Sequence, residues 1–165
     1  QIQKRGCMIV QLDLIEADDA TRSPLLAEER KKAIADLVDS NDFKLVRYPD
    51  CDCKVTLSVA DERLQFQFIS RDNEELQTLV LSPRPYRKLI QDYFLMVESY
   101  EAIRAEGNLY RLEAVDMARR AVHNEAAELL VERLADKASM DFETARRLFT
   151  LICALHIGQG KQMKS

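Results

Sequence analysis

Along residues 109–134, LYRLEAVDMARRAVHNEAAELLVERL, apolar side chains return at Leu112, Val115, Val122, Ala126, Leu129 and Leu130, the spacing of one buried helical face. Neither glycine nor proline interrupts the stretch, and Ala, Leu, Glu and Arg dominate it, so the pattern predicts an amphipathic helix of about seven turns. Toward the N-terminus, Met8, Val10, Leu12 and Leu14 alternate with Ile9, Gln11 and Asp13 and predict a first strand. Ser23 followed by Pro24 supplies a cap and a first-turn proline for a helix with the apolar face Leu26, Ala33, Ile34, Leu37 and Val38, ending near Ser40 and Asn41. Extended runs follow at 43–48, 54–60, 63–70 and 76–82, separated by turns at Pro49-Asp50, Asp61-Glu62 and Asp72-Asn73. The alternation of Val55, Leu57 and Val59, then of Leu64, Phe66 and Phe68, predicts a sheet with one buried face.

Ser82-Pro83-Arg84-Pro85 closes this sheet and opens a helix carrying Leu89, Ile90, Tyr93, Phe94, Val97 and Tyr100, which stops before Gly107-Asn108. The last element, MDFETARRLFTLICALHIG, has Asp141 as N-cap, Glu143 at the positive end of the helix and Gly158 as its stop. From Leu148 to Ile157 it is apolar nearly all round, which suits the centre of a core or a subunit interface, and His156 falls on its packing side beside Phe149 and Ile152. Strands gathered first and helices last predict an α+β fold: an N-terminal strand and helix, a four-stranded antiparallel meander, then three C-terminal helices packed on one sheet face. One domain is expected over residues 7–158, with 1–6 and 159–165 as flexible ends.

Composition narrows the function. At 165 residues, 47% hydrophobic and 32% charged, the chain can bury a real core and is ordinary for a soluble domain. A formal charge of -4 argues against broad electrostatic binding to nucleic acid or to an anionic membrane. No apolar run reaches the roughly twenty residues of a membrane span, and the start does not read as a secretory signal, so a cytoplasmic protein is expected. Cys7, Cys51, Cys53 and Cys153 then read as free thiols. Glu16, Asp18 and Asp19 lack the spacing of a calcium loop and read as a solvated turn. Four glycines, at 6, 107, 158 and 160, permit neither a phosphate-binding glycine loop nor a dinucleotide fingerprint. Two histidines, at 123 and 156, form no paired zinc motif, and neither a metal nor a cofactor is expected.

The candidate chemistry lies on the long helix. At roughly 100° per residue, Arg119 falls inside the apolar stripe with Asp116 and His123 along its margin, and polar groups in such a position need partners. Asp116, Arg119, Arg120 and His123 thus occupy consecutive turns of one side. Two readings fit: a buried ion pair with a hydrogen-bonded packing histidine, or a site with His123 as general acid or base, Asp116 as its charge partner and the arginines as an anion clamp. Arg146 and Arg147 on the next helix can join that clamp if the two helices pack antiparallel. Arg84, Arg87 and Lys88 form a second basic group that a solvated face explains equally well.

At DYFLMVESYEAI, then EAVDMARRAVHNEAAELLVERL, then DFETARRLFTLICALH, the sequence resembles a family of small, functionally uncharacterised alphaproteobacterial proteins of about 160 residues, one of the "UPF" families. The resemblance runs from about Ser23 to His156 and is sharpest at 116–125 and 141–153. It implies a bacterial cytosolic protein and transfers no mechanism. The leading functional expectation is a non-enzymatic binding or regulatory protein that self-associates through the apolar C-terminal helix or meets a protein partner. The alternative is a protein or enzyme for a small anionic ligand at Asp116, Arg119, Arg120, His123, Asn124, Arg146 and Arg147. A third reading, His123 as a phosphoacceptor, requires an exposed imidazole.

Overall fold

The computed structural model describes residues 7–15 and 24–155. The expectations placed on Glu16, Asp18, Asp19, Ser23, His156, Gly158 and the two chain ends lie outside them. Strand β1 (Ile9–Leu14) leads to helix α1 (Pro24–Asp39), then β2 (Phe43–Leu45), β3 (Cys53–Ala60), β4 (Arg63–Ser70) and β5 (Glu75–Leu81). Helices α2 (Arg87–Glu106) and α3 (Leu109–Arg133) follow, then a short strand β6 (Ala138–Met140) and helix α4 (Phe142–Leu155). The α+β class and the three C-terminal helices agree with the sequence pattern.

The sheet corrects it. Strands β3, β4 and β5 are an antiparallel meander, but the fourth member is β1, which pairs with β3 in parallel, so the sheet is mixed, in the order β1-β3-β4-β5. A parallel neighbour needs a crossover of a dozen or more residues, and α1 supplies it. Strand β2 leaves the meander and pairs antiparallel with β6. Three residues after a long helix are too short to carry a period, which is why β6 has no signature in the sequence. The register of β1 also shifts between Ile9 and Gln11, so its buried residues are Ile9 and Leu12 and not one alternating set.

Local chemistry sets the ends of the elements. Asp61 and Glu62 both take positive φ, 53° and 60°, as the tight turn between β3 and β4 requires. Gly107 ends α2 at φ 77°, where a side chain would be strained, and the next residue, Asn108, caps α3 by accepting from Arg111 N. Asp141 caps α4 through its bond from Thr144 N at 2.9 Å. The buried alternation of β3 and β4, with Val55 and Leu57 against Leu64, Phe66 and Phe68, joins the helices in one hydrophobic cluster. Helix α4 is its centre: Leu148, Phe149, Leu151, Ile152, Cys153, Ala154 and Leu155 are all buried within this chain. Helix α3 enters the core only in its second half, from Val122 onward, and Leu109, Tyr110 and Met117 are exposed.

Asn41 ties α1 to the edge of β1. Its Oδ1 accepts from Ile9 N at 2.7 Å, and its Nδ2 donates to Ile9 O and to Leu37 O, both at 2.7 Å. The amide thus takes the place of a neighbouring strand for one residue of β1 and closes the end of α1. Asn41→Ala should cost about 2 kcal/mol, since it strands several partly buried backbone groups, and should lower the urea midpoint at unchanged m value. Asn41→Asp should not rescue it, because a carboxylate cannot donate to two carbonyls; wild-type stability in either variant would refute the tie.

Candidate functional site

Helices α1 and α3 both pack on α4, and between them lies a polar cleft of about 380 Å³. Lys32, Glu28 and Glu29 reach it from α1, Arg119, Arg120 and His123 from α3, and Glu143, Arg146, Arg147 and Thr150 from α4. The α4 residues share one side of their helix because 143, 146, 147 and 150 are three or four apart.

A chain of ion pairs spans the cleft. Arg119 Nη1 pairs with Glu29 Oε1 across the gap, and Arg119 Nη2 meets Asp116 Oδ1 at 2.6 Å. Asp116 Oδ2 holds Arg120 at 3.1 Å, and Tyr93 donates its hydroxyl to the second oxygen of Glu29. The hydrogen bond from Arg119 holds the Asp116 carboxyl below its usual range, although partial burial opposes it. Burial, with the Glu29 carboxylate beside it, pushes the Tyr93 phenol far up, so it stays a protonated donor. Arg146 meets Glu143 at 3.1 Å, yet its Nε is buried with no acceptor. Arg147 donates to Ser40 O at 3.0 Å, at the C-terminal end of α1, where a cation suits the exposed carbonyls.

His123 is 7% exposed, its ring edge-on to Tyr93 and Phe149. Nδ1 lies 3.0 Å from Arg119 O and Nε2 2.9 Å from Thr150 Oγ1. Burial drives the imidazole down from 6.5 to about 4, even though the Arg119 carbonyl favours its proton. At neutral pH the ring is therefore uncharged.

The chain matches the description "Uncharacterised protein family (UPF0262)" over residues 7–158. A UPF0262 protein of Acidiphilium cryptum is 51% identical over 134 residues, 81% of this chain and 83% of that protein. The chain belongs to the uncharacterised family UPF0262. A family protein of Hyphomonas neptunium is 44% identical over 93% of this chain and 94% of its own length, and one of Allorhizobium ampelinum is 43% identical over 81% and 85%. No solved structure matches the chain.

Of the residues singled out in the sequence, Arg119, Arg120, His123, Arg146 and Arg147 line one cleft. Asp116 stands behind it and orients both arginines of α3, while Asn124 is exposed and does not line it. Arg84, Arg87 and Lys88 are exposed, with Lys88 near Asp92 at 3.9 Å. A phosphoacceptor role for His123 conflicts with its burial. Lys32, Glu28, Glu29 and Thr150 escaped sequence reasoning. Thr150 did carry a signal, four residues after Arg146 on the same face, but nothing local placed α1 opposite α3.

The depressed imidazole gives a pH dependence with a definite sign. The unfolded chain takes up a proton at His123 below about pH 6.5, while the folded chain refuses it until about pH 4. Above 6.5 the residue contributes nothing to the slope; as pH falls from 6.5 to 4, stability should drop by up to about 3 kcal/mol and then level off. Urea titrations across this window should show that slope in wild type and lose it in His123→Gln. An equal slope in both would mean that His123 is not held neutral.

Proposed function

We propose that this protein binds a small anionic ligand, a phosphate or a carboxylate, in the cleft between α1, α3 and α4. The observation that carries the reading is the charge of the cleft wall. In a chain of net charge -4, five cationic side chains and three carboxylates line it. Among the described residues Lys32 and Arg147 have no carboxylate partner, and Arg146 Nε is buried without an acceptor. Guanidinium groups converging from two helices suit the several acceptor oxygens of such a group.

In this reading His123 positions and does not transfer protons. Its two nitrogens are already engaged, and a ring held neutral down to about pH 4 is a poor acid at pH 7. Inorganic phosphate, phosphate esters and dicarboxylates should be screened by thermal shift, then by calorimetry. A ligand at 100 times its Kd should add about 2.7 kcal/mol. Lys32→Gln and Arg146→Gln should each weaken binding about ten-fold, equivalent to about 1.4 kcal/mol. If no anion stabilises the wild type, the reading fails.

A second reading, self-association, has its own observation. The described part of α4 is buried in this chain's own core, so the surface to consider lies on α3, where Tyr110 and Met117, on one face, are 86% and 65% exposed and Leu109 at the helix start is 78% exposed. If two copies meet there, light scattering should give a dimer mass for wild type and a monomer mass for Met117→Glu. A monomeric wild type at high concentration removes this reading and leaves the cleft untouched.

A further inference from the structure

Thr150 lines the cleft, and the hydrogen-bond polarity of its hydroxyl is fixed from inside the protein. A carbonyl oxygen only accepts, so Arg119 O, 3.0 Å from His123 Nδ1, requires the ring proton on Nδ1. The buried ring is neutral, so Nε2 has no proton and must accept. Its neighbour at 2.9 Å is Thr150 Oγ1, whose single proton can be donated to it. The other acceptor within reach, Arg146 O at 3.3 Å, is also internal. With either partner, the hydroxyl has no proton left for the cleft and presents lone pairs alone.

The carboxylates of the cleft have the same polarity. Glu143 uses one oxygen on Arg146, and Glu28, on the exposed side of α1, has no partner among the described residues. A simple oxyanion would meet Lys32 and the arginines well but would face lone pairs at Thr150 and Glu28. A ligand with a hydroxyl beside its anionic group would satisfy both sets.

We infer that the cleft selects small anions that carry a hydrogen-bond donor next to the anionic group, hydroxy acids or hydroxyl-bearing phosphate esters, and that Thr150 is the specificity-determining acceptor. This rests on the anion reading above and narrows its ligand class. His123 is a positioning residue here: it offers the Thr150 hydroxyl an acceptor and no donor, and does not touch the ligand.

Two matched pairs test it, L-malate against succinate and glycerol 3-phosphate against n-propyl phosphate, each measured by calorimetry on the full chain at pH 7.5. In at least one pair the hydroxyl-bearing member should bind about ten-fold more tightly, a difference of about 1.4 kcal/mol. Thr150→Val, which keeps the shape and removes the acceptor, should reduce that preference to less than about two-fold. Thr150→Ser should keep the preference, and it reports on the hydroxyl if the valine variant does not fold. Equal binding within both pairs, or a preference that survives Thr150→Val, would overturn the inference and leave the anion reading standing. No binding of any of the four compounds would overturn both.

Discussion

The arrangement depends on the burial of α4. A helix apolar on nearly every side must be enclosed, and here α1, α3 and β3 enclose it. Apart from Thr144, which is buried and bonded to Asp42 N, its polar residues form one strip, Glu143, Arg146, Arg147 and Thr150, and that strip cannot be covered by apolar neighbours at tolerable cost. The two helices flanking α4 therefore part along that line. The cleft is the consequence: it is where the most buried helix of the chain has to meet water.

A parting of two helices needs something to set its width, and the Glu29–Arg119 pair does this. Glu29 is held from one side by Tyr93 and from the other by Arg119, and Arg119 is held in turn by Asp116. Such a partly buried network adds little stability over an apolar contact of the same shape, because desolvation offsets most of the Coulombic gain. Its effect is geometric, since breaking one member leaves the others unpaired. The network also decides where positive charge remains. Glu29 and Asp116 are occupied with Arg119 and Arg120, so among the described residues the cleft charges not matched by carboxylates are those of Lys32 and Arg147, on the facing helices α1 and α4.

This logic also explains what the sequence could disclose. Elements with a period survive as expectations: the α3 stretch, the hairpin at Asp61-Glu62, the Asp141 cap and the alternation of β3 with β4 all rest on neighbours a few residues apart. Pairings between distant segments do not. The parallel match of β1 with β3, and the removal of β2 to β6, depend on where α1 crosses and where α3 ends, which no local window contains. The site divides the same way. Arg119, Arg120 and His123 were readable as one helical side, and Arg146 and Arg147 as a second, but Glu29 and Lys32 come from a helix some ninety residues away. Asn124 was grouped with its neighbours by sequence distance alone, and its exposure shows that adjacency on a helix does not imply a shared face.

The state of His123 links the fold to the chemistry. Burial comes first among the causes of its depressed pKa, and Arg119 and Arg146 push in the same direction. The cations suited to an anion thus help to keep the imidazole neutral. A neutral ring held by a backbone carbonyl has one tautomer, and that tautomer cannot donate to the Thr150 hydroxyl, which keeps its own proton on an internal acceptor. The charge of the cleft and the hydrogen-bond polarity of its wall are therefore coupled through a residue that need not contact a ligand. Adding a proton to the ring would require the Thr150 hydroxyl to accept from it and would bury a charge that the Arg119 and Arg146 guanidinium groups oppose, so the arrangement favours recognition over proton transfer at this position.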